Sequence, residues 1–118
     1  MIVNAEPDLL FSLVSNLLDN AYKAQPKDGV VRLEGKRAEG RYTVRVTDSG
    51  AGIPPEDLPH IKEIFYMADK SRSRAKGGAG IGLYLCSQIA KLHGSELAIE
   101  SAPGAGTTVS FDLEVLHE

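Results

Sequence analysis

Four glycines fall within six residues at Gly77-Gly78-Ala79-Gly80-Ile81-Gly82, and an apolar helical pattern begins directly afterwards with Leu83. Glycine lets backbone amides reach a ligand with no Cβ in the way, and it permits positive φ. The start of the following helix adds unpaired N–H groups and a partial positive charge, so the combination suits phosphate. A flexible linker looks similar, and the run gains meaning only in company. Gly50 with Gly52 makes a second cluster, and Gly104 with Gly106 a third. Three glycine clusters along one short chain predict a nucleotide site.

The chain has 118 residues, 42% of them apolar, enough for one domain with a single core. A formal charge of −3 leaves no electrostatic footprint for DNA or RNA. A lone cysteine, Cys86, has no partner for an internal disulfide, no cysteine–histidine cluster suggests a metal, and its place on an apolar helix face suggests a small core residue. No apolar run approaches the roughly 20 residues that cross a bilayer, and no secretory leader is visible. The expectation is a soluble segment in a reducing compartment, with no nucleic-acid partner and no direct membrane insertion.

Patterning gives the order of elements. Residues 7–24 read as a helix, with Pro7 suited to its first turn, Glu6 and Asp8 favourable there, and Leu10, Leu13, Val14, Leu17, Leu18 and Ala21 as its buried stripe. Residues 30–36 and 41–47 alternate like two strands joined by a loop over 37–40. Regular patterning fails from Ser49 to Gly80, apart from a short helical stretch expected around 56–65; a loop of this length is usually a lid or a binding loop. A second helix is expected over 81–93, ended by Gly94 in the left-handed conformation. Strands at 96–101 and 107–115 close the chain. This order implies an α+β fold, a two-layer α/β sandwich whose mixed, mainly antiparallel sheet is covered on one face by helices.

Within that frame several residues carry chemistry. Asn16, Asn20 and Lys23 stand at i, i+4 and i+7, and at about 100° per residue they span roughly 60° of the helix circumference. Two carboxamides offer neutral oxygens to Mg²⁺, which keeps water and phosphate oxygens as its other ligands, and Lys23 meets phosphate charge one turn on. A solvated helix edge would carry the same residues, but asparagine is a poor mid-helix residue and two on one stripe weaken that reading. Asp48 closes the second strand, where an ionised carboxylate can accept from the adenine exocyclic amine and Gly50 and Gly52 would let the backbone pass close under the ring, although Asp-x-Gly-x-Gly taken alone is as often a turn as a site. Lys70, Arg72, Arg74 and Lys76 form a local basic cluster before the glycine run, which by itself reads first as a solvated, disordered loop and equally suits a mobile basic lid that closes over a triphosphate. His60, His93 and His117 lack the setting of an activated nucleophile and are expected to be structural or solvent-facing.

These elements, in this order and over essentially the whole chain, resemble the catalytic, ATP-binding domain of bacterial two-component sensor histidine kinases. Asn16-Leu17-Leu18-Asp19-Asn20-Ala21-Tyr22-Lys23 resembles the N box, and Asp48-Ser49-Gly50-Ala51-Gly52-Ile53 the first glycine box. Phe65-Tyr66 with Asp69-Lys70-Ser71-Arg72 resembles the F box and lid. Gly78-Ala79-Gly80-Ile81-Gly82-Leu83 resembles the second glycine box, and Gly104-Ala105-Gly106-Thr107 the last. The resemblance implies the Bergerat ATP-binding fold over residues 1–118, with a lid at about 49–80. It implies ATP and Mg²⁺ as cofactors, Asn20 with Asn16 serving the metal, and Lys23 touching phosphate. Asp48 would read the adenine amine with Thr107 in support, Gly50 and Gly52 would pass close under the ring, and Ile53 would belong to the same nucleotide site. Tyr66, Lys70 and Arg72 would contact nucleotide from the lid, while Gly78, Gly80, Ile81, Gly82 and Leu83 would hold phosphates. Two positions depart from the pattern. Ala24 stands where an aromatic often stacks on adenine, and Met67 where many members carry arginine, which leaves Arg72 and Lys70 to stabilise the phosphate in transfer.

The same fold serves gyrase-type, chaperone and mismatch-repair ATPases, which carry a water-activating glutamate at the position of Asn16. A carboxamide cannot take that proton at neutral pH, so Asn16 argues for transfer to an external nucleophile. The implied acceptor is a histidine on a separate helical dimerisation and phosphoacceptor domain of the same kinase, with a response regulator downstream and a cytoplasmic location at the end of a membrane-bound sensor. An anti-sigma-type serine kinase, or a nucleotide-binding module without transfer, are the alternatives of related fold.

Overall fold

The computed structural model describes residues 2–24, 28–62 and 82–117. Its elements are β1 (Ile2–Val3), α1 (Pro7–Ala24), β2 (Val31–Ala38), β3 (Arg41–Asp48), a 3-10 turn at Leu58–His60, α2 (Gly82–Leu92), β4 (Ala98–Ser101) and β5 (Thr107–His117). The strands form one sheet in the order β1-β5-β3-β2, with β4 also paired to β5. All four strand pairs are antiparallel, so the mixed character expected of the sheet is absent among the described residues.

The alternation of β5 decides which face is covered. Thr107, Val109, Phe111 and Leu113 stand opposite Asp48, Val46, Val44 and Tyr42 of β3, and these positions share the face that meets the helices. Thr108, Ser110, Asp112 and Glu114 point the other way, opposite Thr47, Arg45, Thr43 and Arg41. On the covered face, Val46, Phe111 and Leu113 pack with Leu13, Leu17 and Ala21 of α1 and with Cys86, Ile89 and Ala90 of α2. Each fully buried leucine of this set contributes roughly 1.5–3 kcal/mol through removal of apolar surface from water. Burial also pushes the Cys86 thiol up to about 12, so it stays protonated and serves as a small core residue.

The two helices run antiparallel. Cys86 Sγ sits 4.0 Å from the Leu13 carbonyl, and at one end His93 Nε2 accepts from the Glu6 N–H at 3.0 Å. The other ring nitrogen, Nδ1, lies 2.8 Å from the Ile89 carbonyl and therefore carries the proton. Gly94 ends α2 at φ 71°, as expected. The start of α2 accordingly lies at the same end of the molecule as the last turns of α1.

Three local features differ from the patterning. The loop expected over 37–40 tightens to a two-residue turn, Glu39–Gly40, with φ of 55° and 79°, and both strands lengthen to meet it. Positive φ at both central residues matches the twist of the flanking strands, which is why the ladder continues to the turn. β1 is only two residues long, too short to leave a period, and pairs with the end of β5 through Ile2↔His117 and Val3↔Val115. The helical stretch expected at 56–65 is a single 3-10 turn within the described residues, because Pro59 has no N–H to extend an α-helical ladder. Across β3 and β5, Arg41 meets Asp112 at 2.9 Å, and this hydrogen bond, aided by Ser95 and opposed by partial burial, holds the Asp112 carboxyl below its ordinary range.

Glu39 is the one non-glycine residue at positive φ among those described. Glu39→Asn should therefore raise stability by roughly 0.5–1 kcal/mol, since asparagine tolerates that conformation better than glutamate. Chemical denaturation of the two proteins measures the difference as a shifted midpoint at unchanged slope.

Candidate nucleotide-binding site

Asp48 occupies the last rung of the β3–β5 ladder, opposite Thr107, and Thr107 in turn stands opposite Ser101 of β4. Three polar side chains thus form a row across three strands at one end of the helix-covered face. Asp48 is buried, and its Oδ1 accepts from the Gly50 N–H at 2.8 Å, so the carboxylate folds the chain back on itself as it leaves the strand.

The turn after Asp48 locks into the turn before Thr107. The Gly104 N–H donates to the Ala51 carbonyl at 2.6 Å, and the Ile53 N–H donates to Ser101 Oγ at 2.8 Å. Two glycines make this approach possible. At Gly52 (φ 83°) a Cβ would fall onto the Ala102 carbonyl, and at Gly106 (φ 78°) it would fall onto the Asp48 carbonyl. Both need the left-handed conformation and the missing side chain together. Gly50 brings the loop close to the end of α1, since a Cβ there would lie 2.5 Å from the Ala24 carbonyl oxygen.

That contact places the last turn of α1 beside Asp48. Asn16 is half-buried and donates through Nδ2 to the Ser12 carbonyl at 2.8 Å and to Ser12 Oγ at 3.4 Å. Its amide protons are spent on its own helix, which leaves the oxygen as the group to offer a cation. Asn20 is exposed. The donor set therefore fits Mg²⁺, which takes few protein oxygens and retains water and phosphate. Lys23 Nζ pairs with Asp19 Oδ2 at 3.0 Å on the surface, a partner that the sequence reading did not assign. Such an exposed pair holds weakly in water, so Lys23 would give up Asp19 for another anion at little cost.

Leu83, at the start of α2, packs against the core and Gly82 opens the helix. The structure thus brings Asn16, Asn20, Lys23, Asp48, Gly50, Gly52, Ile53, Leu83 and Thr107 to one end of the helix layer. Tyr66, Lys70, Arg72, Gly78, Gly80 and Ile81 lie outside the described residues. Ser101 was missed by the sequence reading. Its signal was a serine ending a strand before Pro103-Gly104-Ala105-Gly106, a common turn opening.

A cavity of about 520 Å³ lies at the opposite end, lined by Asn4, Glu6, Leu9, Arg41, His93 and Glu114 among others. Two carboxylates there, with Arg41 already bound to Asp112, make it a poor receiver of phosphate. Among the described residues no cluster of three or more His, Cys, Asp or Glu is placed to hold a metal, and no helix is long and apolar enough to cross a membrane.

Residues 5–117 match the family described as Histidine kinase-, DNA gyrase B-, and HSP90-like ATPase. The chain is 42% identical over 111 residues to the sensor histidine kinase YkoH of Bacillus subtilis, covering 94% of this chain and 24% of that protein. It is 42% identical over 114 residues to the histidine protein kinase DivJ of Caulobacter vibrioides, covering 97% of this chain and 19% of that one. The chain therefore spans about a quarter or less of the length of these two relatives. Among solved structures, the mycobacterial sensor histidine kinase MprB superposes with a TM-score of 0.82 at 29% identity, over 95% of this chain and 74% of that one. The catalytic domain of histidine kinase ThkA gives 0.80 at 26% identity, over 95% and 71%. A buried aspartate at the end of β3, held between interlocked glycine turns, thus sits in a scaffold shared with these kinases, and the chain belongs to the histidine kinase-, DNA gyrase B- and HSP90-like ATPase family as an ATP-binding catalytic domain of the sensor histidine kinase type.

Proposed function

We propose that the chain binds Mg²⁺-ATP between the last turns of α1 and the interlocked turns, and donates the γ-phosphate to a histidine on a separate helical dimerisation and phosphoacceptor domain of the same kinase. The observation that carries this reading is the buried Asp48 carboxylate opposite Thr107, beside the end of α1. An ionised carboxylate only accepts, so it selects an amine edge such as that of adenine. Phosphoryl transfer asks chiefly for positioning and charge stabilisation. Mg²⁺, when bound, neutralises phosphate charge. Asn20 and Asn16 would hold it, while Lys23 would leave Asp19 for a phosphate oxygen. Leu83 and Gly82, with Gly78, Gly80 and Ile81 before them, would frame the phosphates, and Tyr66, Lys70 and Arg72 would reach them from a lid at about 49–80. The site belongs on this reading to the cytoplasmic end of a sensor kinase that feeds a response regulator.

Asn16 sets the balance between reactions. A carboxamide cannot accept the proton of an attacking water, so the nucleotide is held for an outside nucleophile. The isolated chain should bind Mg²⁺-ATP and Mg²⁺-ADP yet release phosphate very slowly. Added phosphoacceptor domain should become labelled from ATP with acid-labile phosphate. Rapid steady-state release by the chain alone would contradict the reading, acid-stable label would point to serine, and binding without label would leave a nucleotide-binding module.

Asp48→Asn should weaken ADP at least tenfold while the protein stays folded, because a charge-assisted hydrogen bond is replaced by a neutral one at best. Calorimetric titration beside a thermal melt separates the two effects, and unchanged affinity would remove Asp48 from the site.

The two substitutions at Asn20 should part company. Asn20→Ala removes an oxygen ligand and should abolish the Mg²⁺ dependence of nucleotide binding, whereas Asn20→Asp keeps an oxygen there and should retain it. Wild-type Mg²⁺ dependence in both would place the metal elsewhere.

A further inference from the structure

Ser101 Oγ has three partners within hydrogen-bond distance. It accepts from the Ile53 N–H at 2.8 Å, donates to the Gly106 carbonyl at 2.9 Å, and lies 2.9 Å from Thr107 Oγ1. A serine hydroxyl owns one proton and two lone pairs. The proton goes to Gly106, whose carbonyl has none to give, and one lone pair receives Ile53. The proton shared with Thr107 must therefore come from Thr107. Thr107 stands between Ser101 and Asp48 in the row across β4, β5 and β3. With its proton turned towards β4, it offers only lone pairs on the side of Asp48, which is itself acceptor-only when ionised.

We infer that Ser101 is a positioning residue for base selection: by taking the Thr107 proton it makes the Asp48–Thr107 row an all-acceptor edge that favours a purine carrying an amine at position 6 over one carrying only an oxygen acceptor there. This rests on the nucleotide reading above and adds a residue to it. It is distinct from a purely structural role. A serine that merely ties the two turns together would, when lost, weaken every nucleotide alike. A serine that orients Thr107 changes the ratio between bases, because a released Thr107 hydroxyl can turn and donate to an acceptor oxygen at position 6.

The test compares ADP with 6-methoxypurine riboside diphosphate, which replaces the amine by an acceptor oxygen and leaves N1 unprotonated, by calorimetry in the presence of Mg²⁺. The unaltered chain should prefer ADP. Ser101→Ala should lower that preference by roughly threefold to tenfold, the range of one hydrogen bond gained or lost. Ser101→Cys, close in size and weak as donor and acceptor, should do the same and guards against misfolding of the alanine variant. In a Thr107→Val background neither change should alter the ratio further. An unchanged ratio in a folded Ser101 variant, or the same change without Thr107, would overturn the inference and leave the nucleotide site standing. Absence of saturable ADP binding by the unaltered chain would overturn both.

Discussion

The site depends first on the register between β3 and β5. Its last rung sets Asp48 against Thr107, and its earlier rungs send Val44, Val46, Phe111 and Leu113 into the core. Side chains alternate along a strand, so a slip of one residue would turn the apolar set to solvent and Asp48 away from the helices together. The core therefore guards the register, and the register guards the carboxylate. Stability and ligand chemistry are tied in this fold by geometry rather than by proximity alone.

Helix α1 contributes to both on separate stripes. Leu13, Leu17 and Ala21 bury one side, while Asn16, Asn20 and Lys23 follow the neighbouring side towards the end that meets Gly50. Because both stripes belong to one rigid rod, burial of the leucines fixes the height and rotation at which the asparagines meet a ligand. The loops add what the rod cannot. Gly52 and Gly106 allow two turns to interlock at carbonyl-to-backbone distance, which gives Asp48 a closed floor without bulky side chains.

Much of this was legible in the residues because it rests on period and on residue type. The 18-residue helix from Pro7 to Ala24 shows a 3.6-residue stripe with a proline at its start, and the structure gives the same bounds. Asp48 at a strand end before two glycines was visible as a carboxylate that must turn. What escaped was short or relational. β1 has two residues, which carry no period. Glu39 adopts positive φ against its own preference because the strands on either side demand the twist. Asp19 pairs with Lys23 through an i, i+4 contact that any surface helix shows. Ser101 matters through its partners at positions 53, 106 and 107, and two of those links exist only once β4 lies beside β5 and the loop after β3 folds over them.

The bond from Glu6 to His93 has a mechanical consequence. It joins the entry to α1 with the exit of α2, so the two antiparallel helices are pinned at the end remote from Asp48. At the opposite end, glycine-bearing turns meet the last turn of α1 through backbone contacts. The imidazole therefore sets the spacing of the helix pair at one end and Cys86 against Leu13 sets it partway along, so the start of α2 is carried to its place beside the last turns of α1 by contacts that lie away from Asp48.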